Sequence, residues 1–152
     1  MAYQAIINGA RGLVFFGGHI PVAWNERDAK LKWNWTFFEK VLRPVLEEVG
    51  EKSSLQAALV ATQSKLKVSV KDVKGDPAEG VEFCVRETAD AVYVLACKRE
   101  GATVRVRFEG LPVELAGGEV MYEAPRKVEV KGGLFTDWFG PFEVHVYRFG
   151  RR

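Results

Sequence analysis

Leu13-Val-Phe-Phe16 is an unbroken apolar run followed by Gly17-Gly18, with no polar residue alternating inside it. A strand of that kind is buried on both faces, the habit of a parallel sheet covered by helices on either side. Ala2 to Asn8 reads as the last turns of a helix, with Gly9 where a left-handed C-cap is usual. The rest of the chain offers no second strand-helix unit, and one strand cannot satisfy its own backbone N–H and C=O groups. The segment is therefore expected to close a larger α/β domain or to dock onto one.

Three stretches follow. His19 to Lys32 reads as a long loop, and loops of that length inside compact domains are often functional. Trp33–Val49 reads as a helix: Thr36-Phe-Phe-Glu39 has capping-box spacing, and Phe38, Val41, Leu42, Val45, Leu46 and Val49 form one apolar stripe. Pro44 is expected to kink or break it by forcing Arg43 out of the α region, and Gly50 to stop it. A weaker helix or turn spans Leu55–Val60. From Leu66 onward the period becomes two, with alternating residues at Val68 and Val70, 81–85, 92–96, 104–108, 128–130 and 144–148. Turn signals separate them, Gly117-Gly118 among them. Six to eight short strands at such spacing predict an antiparallel sandwich, its core closed by Trp138, Phe139 and Phe142. The expected fold class is α+β, with residues 1–62 as an incomplete helix-strand-helix unit and 63–152 as an antiparallel β-sandwich.

Composition narrows function mainly by exclusion. Of 152 residues 47% are hydrophobic and 28% charged, and the net charge of +2 comes from Lys and Arg scattered among Asp and Glu. Lys65, Lys67, Lys71 and Lys74 form a basic cluster spaced as the solvated side of an edge strand, where lysines block unwanted pairing. A nucleic-acid site would need a stronger basic face with interleaved aromatics, so none is expected. No apolar run approaches the roughly 20 residues that cross a bilayer, and no signal-peptide pattern follows Met1. A three-residue turn at 88–90 would set Cys84 and Cys97 on opposite faces, ~10 Å apart, so both are expected as reduced thiols. His19 and His145 are far apart and no Cys-x-x-Cys occurs, so neither a metal site nor a cofactor is expected.

Tyr3-Gln-Ala-Ile-Ile-Asn-Gly-Ala-Arg-Gly-Leu-Val-Phe-Phe-Gly17 resembles the final helix-to-strand passage of (β/α)8-barrel glycoside hydrolases, where a Gly-Ala-x-Gly turn leads into the eighth strand. The order of elements after it is also similar: a long loop, a last helix, and a β module ending in Phe142-Glu-Val-His-Val-Tyr-Arg-Phe149. The resemblance implies the last strand and helix of such a barrel with its appended β-sandwich. A barrel needs roughly 250 residues, so most of it would be missing. It further implies a carbohydrate-processing parent enzyme, secreted or periplasmic, acting on a polysaccharide or oligosaccharide.

Glycoside hydrolysis usually needs two carboxyl groups flanking one bond. In the barrels resembled they come from earlier strands, absent here. Glu26 and Asp28 read as solvated loop charges, and Glu119, Glu123, Glu129 and Asp137 as surface residues of the β module. No catalytic residue is assigned. Barrel sites lie in the loops after the strands, so the resemblance makes His19, Trp24, Asn25 and Trp33 candidates for a sugar subsite. An indole stacks on a pyranose ring, while His and Asn bond its hydroxyls. In the alternative, Trp24 and Trp33 pack the loop onto the helix and His19 caps a turn; Trp35 has the spacing of a helix-start core aromatic and reads as structural in either case. Two functions stand. The chain is a non-catalytic C-terminal part of a glycoside hydrolase, or a stand-alone β-sandwich module that binds glycan or protein. The first expects residues 13–16 to lack a strand partner and expose apolar surface; the second expects the sandwich to cover them.

Overall fold

A computed structural model of the chain describes residues 1–15 and 25–151, with the side chains of all of these except Trp33 and Asn34. The fold is α+β, as expected: helices come first and eight antiparallel strands follow among the described residues. The helices are α1 (Ala2–Ile7), α2 (Glu26–Lys30), α3 (Trp33–Phe37), a π-helical turn (Phe38–Leu42), α4 (Arg43–Val49) and α5 (Gln56–Val60). The strands are β1 (Ser69–Asp72), β2 (Val81–Glu87), β3 (Ala91–Lys98), β4 (Val104–Glu109), β5 (Gly117–Met121), β6 (Arg126–Glu129), β7 (Leu134–Phe139) and β8 (Val144–Gly150). They make a three-stranded sheet, β1-β4-β7, and a five-stranded sheet, β2-β3-β8-β5-β6.

The two sheets face each other across an aromatic core. Val106, Phe108, Phe135 and Phe139 enter it from the smaller sheet, and Val92, Val94, Tyr147 and Phe149 from the larger. Phe108 stacks on Phe135 with centroids 4.8 Å apart. Gly117-Gly118 does not turn the chain; it opens β5. A Cβ on Gly118 would lie 2.5 Å from the Phe149 ring, so the glycine exists to let that ring close the core. Of the three aromatics expected to close it, Phe139 is fully buried while Trp138 and Phe142 are 57% and 78% exposed. The pleat decides between the first two, since neighbours on a strand point to opposite faces.

The larger sheet is covered on its other face as well. Tyr3, Ile6 and Ile7 of α1, with Leu55 and Ala58, pack on Cys84, Ala91, Tyr93, Leu95, Cys97 and Val146. Hence all eight residues of β3 are buried. The β2–β3 register differs by one residue from the expected one: Cys84 pairs with Leu95, and Cys97 with Glu82. Four residues rather than three lie between the last pair, Glu87 and Val92, with Thr88 N–H bonded to the Ala91 carbonyl. Both thiols therefore share the helix-covered face as diagonal neighbours, a separation of roughly 7–8 Å that a disulfide does not span. Both are free.

Gly9 does what its position predicts. With φ +98° it lets its own N–H reach the Ile6 carbonyl and that of Ala10 reach Ala5, the paired bonds that end a helix in a left-handed residue. The 33–49 helix departs from expectation at both marked points. Thr36 is not a cap but lies inside the helix, its N–H bonded to Lys32 O. Pro44 does not push Arg43 out of the α region, where it stands at φ −58°, ψ −47°. The preceding turn widens instead, the Arg43 N–H reaching back five residues to Phe38 O. A π-turn absorbs the missing proline donor without ending the helix. Gly50 does end it, in an extended conformation.

Candidate functional site

Of the four candidate subsite residues, His19 and Trp24 lie outside the described residues, as does the side chain of Trp33 at the start of α3. Asn25 is the N-cap of α2: its side-chain oxygen accepts from the Asp28 N–H at 2.9 Å, and its amide donates to the Asp28 carboxylate at 2.9 Å. An amide carries two donor hydrogens, so one remains for a ligand. Asp28 is thereby committed to its own turn. Trp35 is not a core aromatic; it stands half exposed, edge-on to Phe38 at 6.0 Å.

Residues 13–15 belong to no strand. Leu13 leans on the helix-covered face of the larger sheet, but Val14 is fully exposed and Phe15 is 39% exposed. Arg11 holds the start of this segment in place by donating to the Leu59 and Ala61 carbonyls at 3.2 and 3.1 Å. Beside it runs a groove of about 350 Å³ whose apolar wall comes from Ile6, Leu13, Phe15, Leu46, Val49 and Leu59. The apolar stripe of the 33–49 helix sinks only partly into a core: Phe38, Leu42, Val45 and Val49 are half-buried, Val49 against the helix-covered core, while Val41 and Leu46 are exposed. Val60, which lines the same groove, is exposed as well. Among the described residues, helix and segment together present an apolar face that stays open.

A second constellation sits at one end of the sandwich, and sequence reasoning missed it. Arg126 of β6 donates to the Asp137 carboxylate of β7 at 2.7 Å and to Glu123 at 3.0 Å. Tyr147 of β8 donates to Asp137 at 2.8 Å. His145 bonds Glu123 through Nδ1 and the Trp138 carbonyl through Nε2 at 3.1 Å. Burial would lower the Arg126 pKa, but the bonds to Asp137 and Glu123 override it and the pKa rises. Burial first, then the charge of Asp137, raises that of Tyr147. Both carboxylates are thus acceptors on one guanidinium, an arrangement that joins β6 to β7. The signal for it was the inward phase of His145 and Tyr147 on β8; their partners, 10 to 22 residues away in sequence, were not visible. Among the described residues no group of three or more His, Cys, Asp or Glu side chains is placed to hold a metal ion.

No family model matches the chain, and no curated protein matches it in sequence. Among solved structures it is similar to an alpha-amylase from Anoxybacillus, described as giving insight into a new glycosyl hydrolase subclass. The identity is 15% and the TM-score 0.41, over 57% of this chain and 18% of the amylase. The likeness to a glycoside hydrolase is distant, and the match spans less than a fifth of that enzyme's length.

Proposed function

We propose that this chain is a non-catalytic portion of a glycoside hydrolase, residues 1–62 completing a (β/α)8 barrel and residues 63–152 forming its stabilising β-sandwich. The observation that carries this reading is the open apolar face, on which residues 13–15 lie without a strand partner and Val14 is bare to solvent. Burying apolar area is worth about 25 cal/mol per Å², so such a face favours a cover. The barrel-like helix-to-strand passage says which cover: the preceding strands and helices of the barrel. In that assembly the segment with His19, Trp24 and Asn25, together with Trp33, walls the sugar cleft, and the catalytic carboxylates belong to the rest of the barrel. The Glu123–Arg126–Asp137 cluster has no part in hydrolysis.

An antibody raised against the recombinant chain tests this on extracts of the source organism. The expected band lies above the 17.0 kDa of this chain by the mass of roughly 250 residues. A band at 17.0 kDa alone contradicts the proposal. So does release of reducing sugar from a polysaccharide by the purified chain, if Glu123→Gln or Asp137→Asn abolishes it.

A further inference from the structure

On the smaller sheet β1 turns Val70 toward the core and Lys71 outward, and Lys65 and Lys67 stand exposed in the irregular segment that leads into β1. The outward side of β4, the central strand, carries Arg105 and Arg107, since Val106 and Phe108 between and beyond them are fully buried. Lys71 lies directly opposite Arg107, and Arg105 directly opposite the exposed Trp138 of β7. Lys71, Arg105, Arg107 and an indole therefore share one face of the sheet, where the strand carboxylate Glu109 pairs with Arg107 at 2.8 Å. Guarding an edge strand accounts for the three lysines. It does not account for two arginines on a central strand that already has both neighbours, nor for an indole left 57% exposed beside them.

We infer that this face binds an acidic polysaccharide, one whose pyranose rings carry carboxylate or sulfate groups. Lys71 on β1, with the exposed Lys65 and Lys67 in the segment before it, supplies point charges for such groups. Arg105 and Arg107 add planar forks suited to carboxylate or sulfate oxygens. Arg105 is steadied by its bond to the Thr136 hydroxyl at 3.2 Å, which holds the fork beside the indole. Trp138 supplies a flat apolar surface for the C–H face of one sugar ring. Single-stranded nucleic acid, the other polyanion, is gripped by several aromatics on which successive bases stack. This face has one. The inference does not depend on the barrel, because the sheet concerned lies across the aromatic core from the helix-covered side.

Gel affinity electrophoresis of the full chain, with polygalacturonate in one gel and uncharged dextran in another, tests the inference. Retardation by polygalacturonate alone is expected, fading as salt rises because exposed charges are screened within about 10 Å at 0.1 M. Trp138→Ala and the pair Lys67→Ala/Lys71→Ala should each weaken it at least fivefold, with Lys52→Ala unchanged and circular dichroism confirming that every variant is folded. Charge reversal at Lys71→Glu, on an exposed side chain, gives a second variant that keeps the backbone intact. No retardation, equal retardation by dextran, or retardation indifferent to these substitutions overturns it. Tighter binding to an oligo-dT strand than to polygalacturonate at equal salt also overturns it, and assigns the face to nucleic acid.

Discussion

Phe139 and Phe142 stand three residues apart and carry the same side chain, yet stability should respond to them in opposite senses. Phe139 is fully buried among Phe108 and its neighbours. Truncation to alanine should cost about 3–5 kcal/mol in urea unfolding. Phe142 is mostly in solvent and holds φ +64°, a left-handed backbone that costs a non-glycine residue about 1–2 kcal/mol. Phe142→Gly should leave stability unchanged or raise it by up to about 1 kcal/mol, part of the relief being offset by glycine's added freedom when unfolded. Gly9→Ala gives the converse: nothing obstructs the added Cβ, so a loss of about 1–2 kcal/mol would measure backbone strain alone. Cys97 supplies the pH dependence. Burial, with Glu82 nearby, pushes its thiol up to about 11 from 9.0. Below pH 9 both folded and unfolded chains keep the proton and this contribution is fully present. Between about 9 and 11 the unfolded chain ionises first, so stability falls as pH rises. Cys97→Ala should flatten that part of the alkaline limb, measured as the difference between the two unfolding profiles. Residue roles of this kind were legible where chain geometry alone sets them, as at Gly9. They were not legible where the pleat or a distant partner decides, as at Trp138 and Asp137.

Among the elements, β3 shows what a period-two reading captures and what it omits. Ala91-Val-Tyr-Val-Leu-Ala-Cys97 is as continuously apolar as the run at 13–16, and continuity signals burial on both faces. Reading only Val92, Val94 and Ala96 found the face toward the aromatic core. The face beneath α1, with Tyr93, Leu95 and Cys97, went unread, and with it the covering role of the helices. The one-residue shift of the β2–β3 register has a similar origin. Turn length sets register, and a slip of one carries every side chain to the other face. At the 33–49 helix, the stripe and its end at Gly50 were legible, but the answer to Pro44 was not. A proline signals a lost donor, and whether the backbone breaks or widens into a π-turn depends on the surroundings. The Glu123–Arg126–Asp137–Tyr147 cluster links β6, β7 and β8 across the two sheets. Asp137→Ala should therefore destabilise by about 1–3 kcal/mol, by leaving partly buried donors unpaired. The pair Asp137→Ala/Tyr147→Phe should cost less than the two single losses added, because both remove the same bond. A double-mutant cycle in denaturant checks this.

At the scale of the whole molecule, the described residues finish one side and leave the other open. The sandwich closes on itself, with its aromatic core sealed between the sheets and α1 laid over the far face. The surface formed by Leu13, Val14, Phe15, Leu46 and Val60 has the composition of a core and the exposure of a rim. The apolar run at 13–16 was legible as a segment needing neighbours, and the described residues provide no strand for it. Sedimentation velocity of the purified chain over a hundredfold concentration range, beside the triple variant Val14→Ser, Phe15→Ser and Leu46→Ser, bears on this most directly. Self-association of the native chain that the serines abolish is the predicted result. A native chain that stays monomeric throughout the range, as the variant does, would contradict the claim that this face awaits a covering partner.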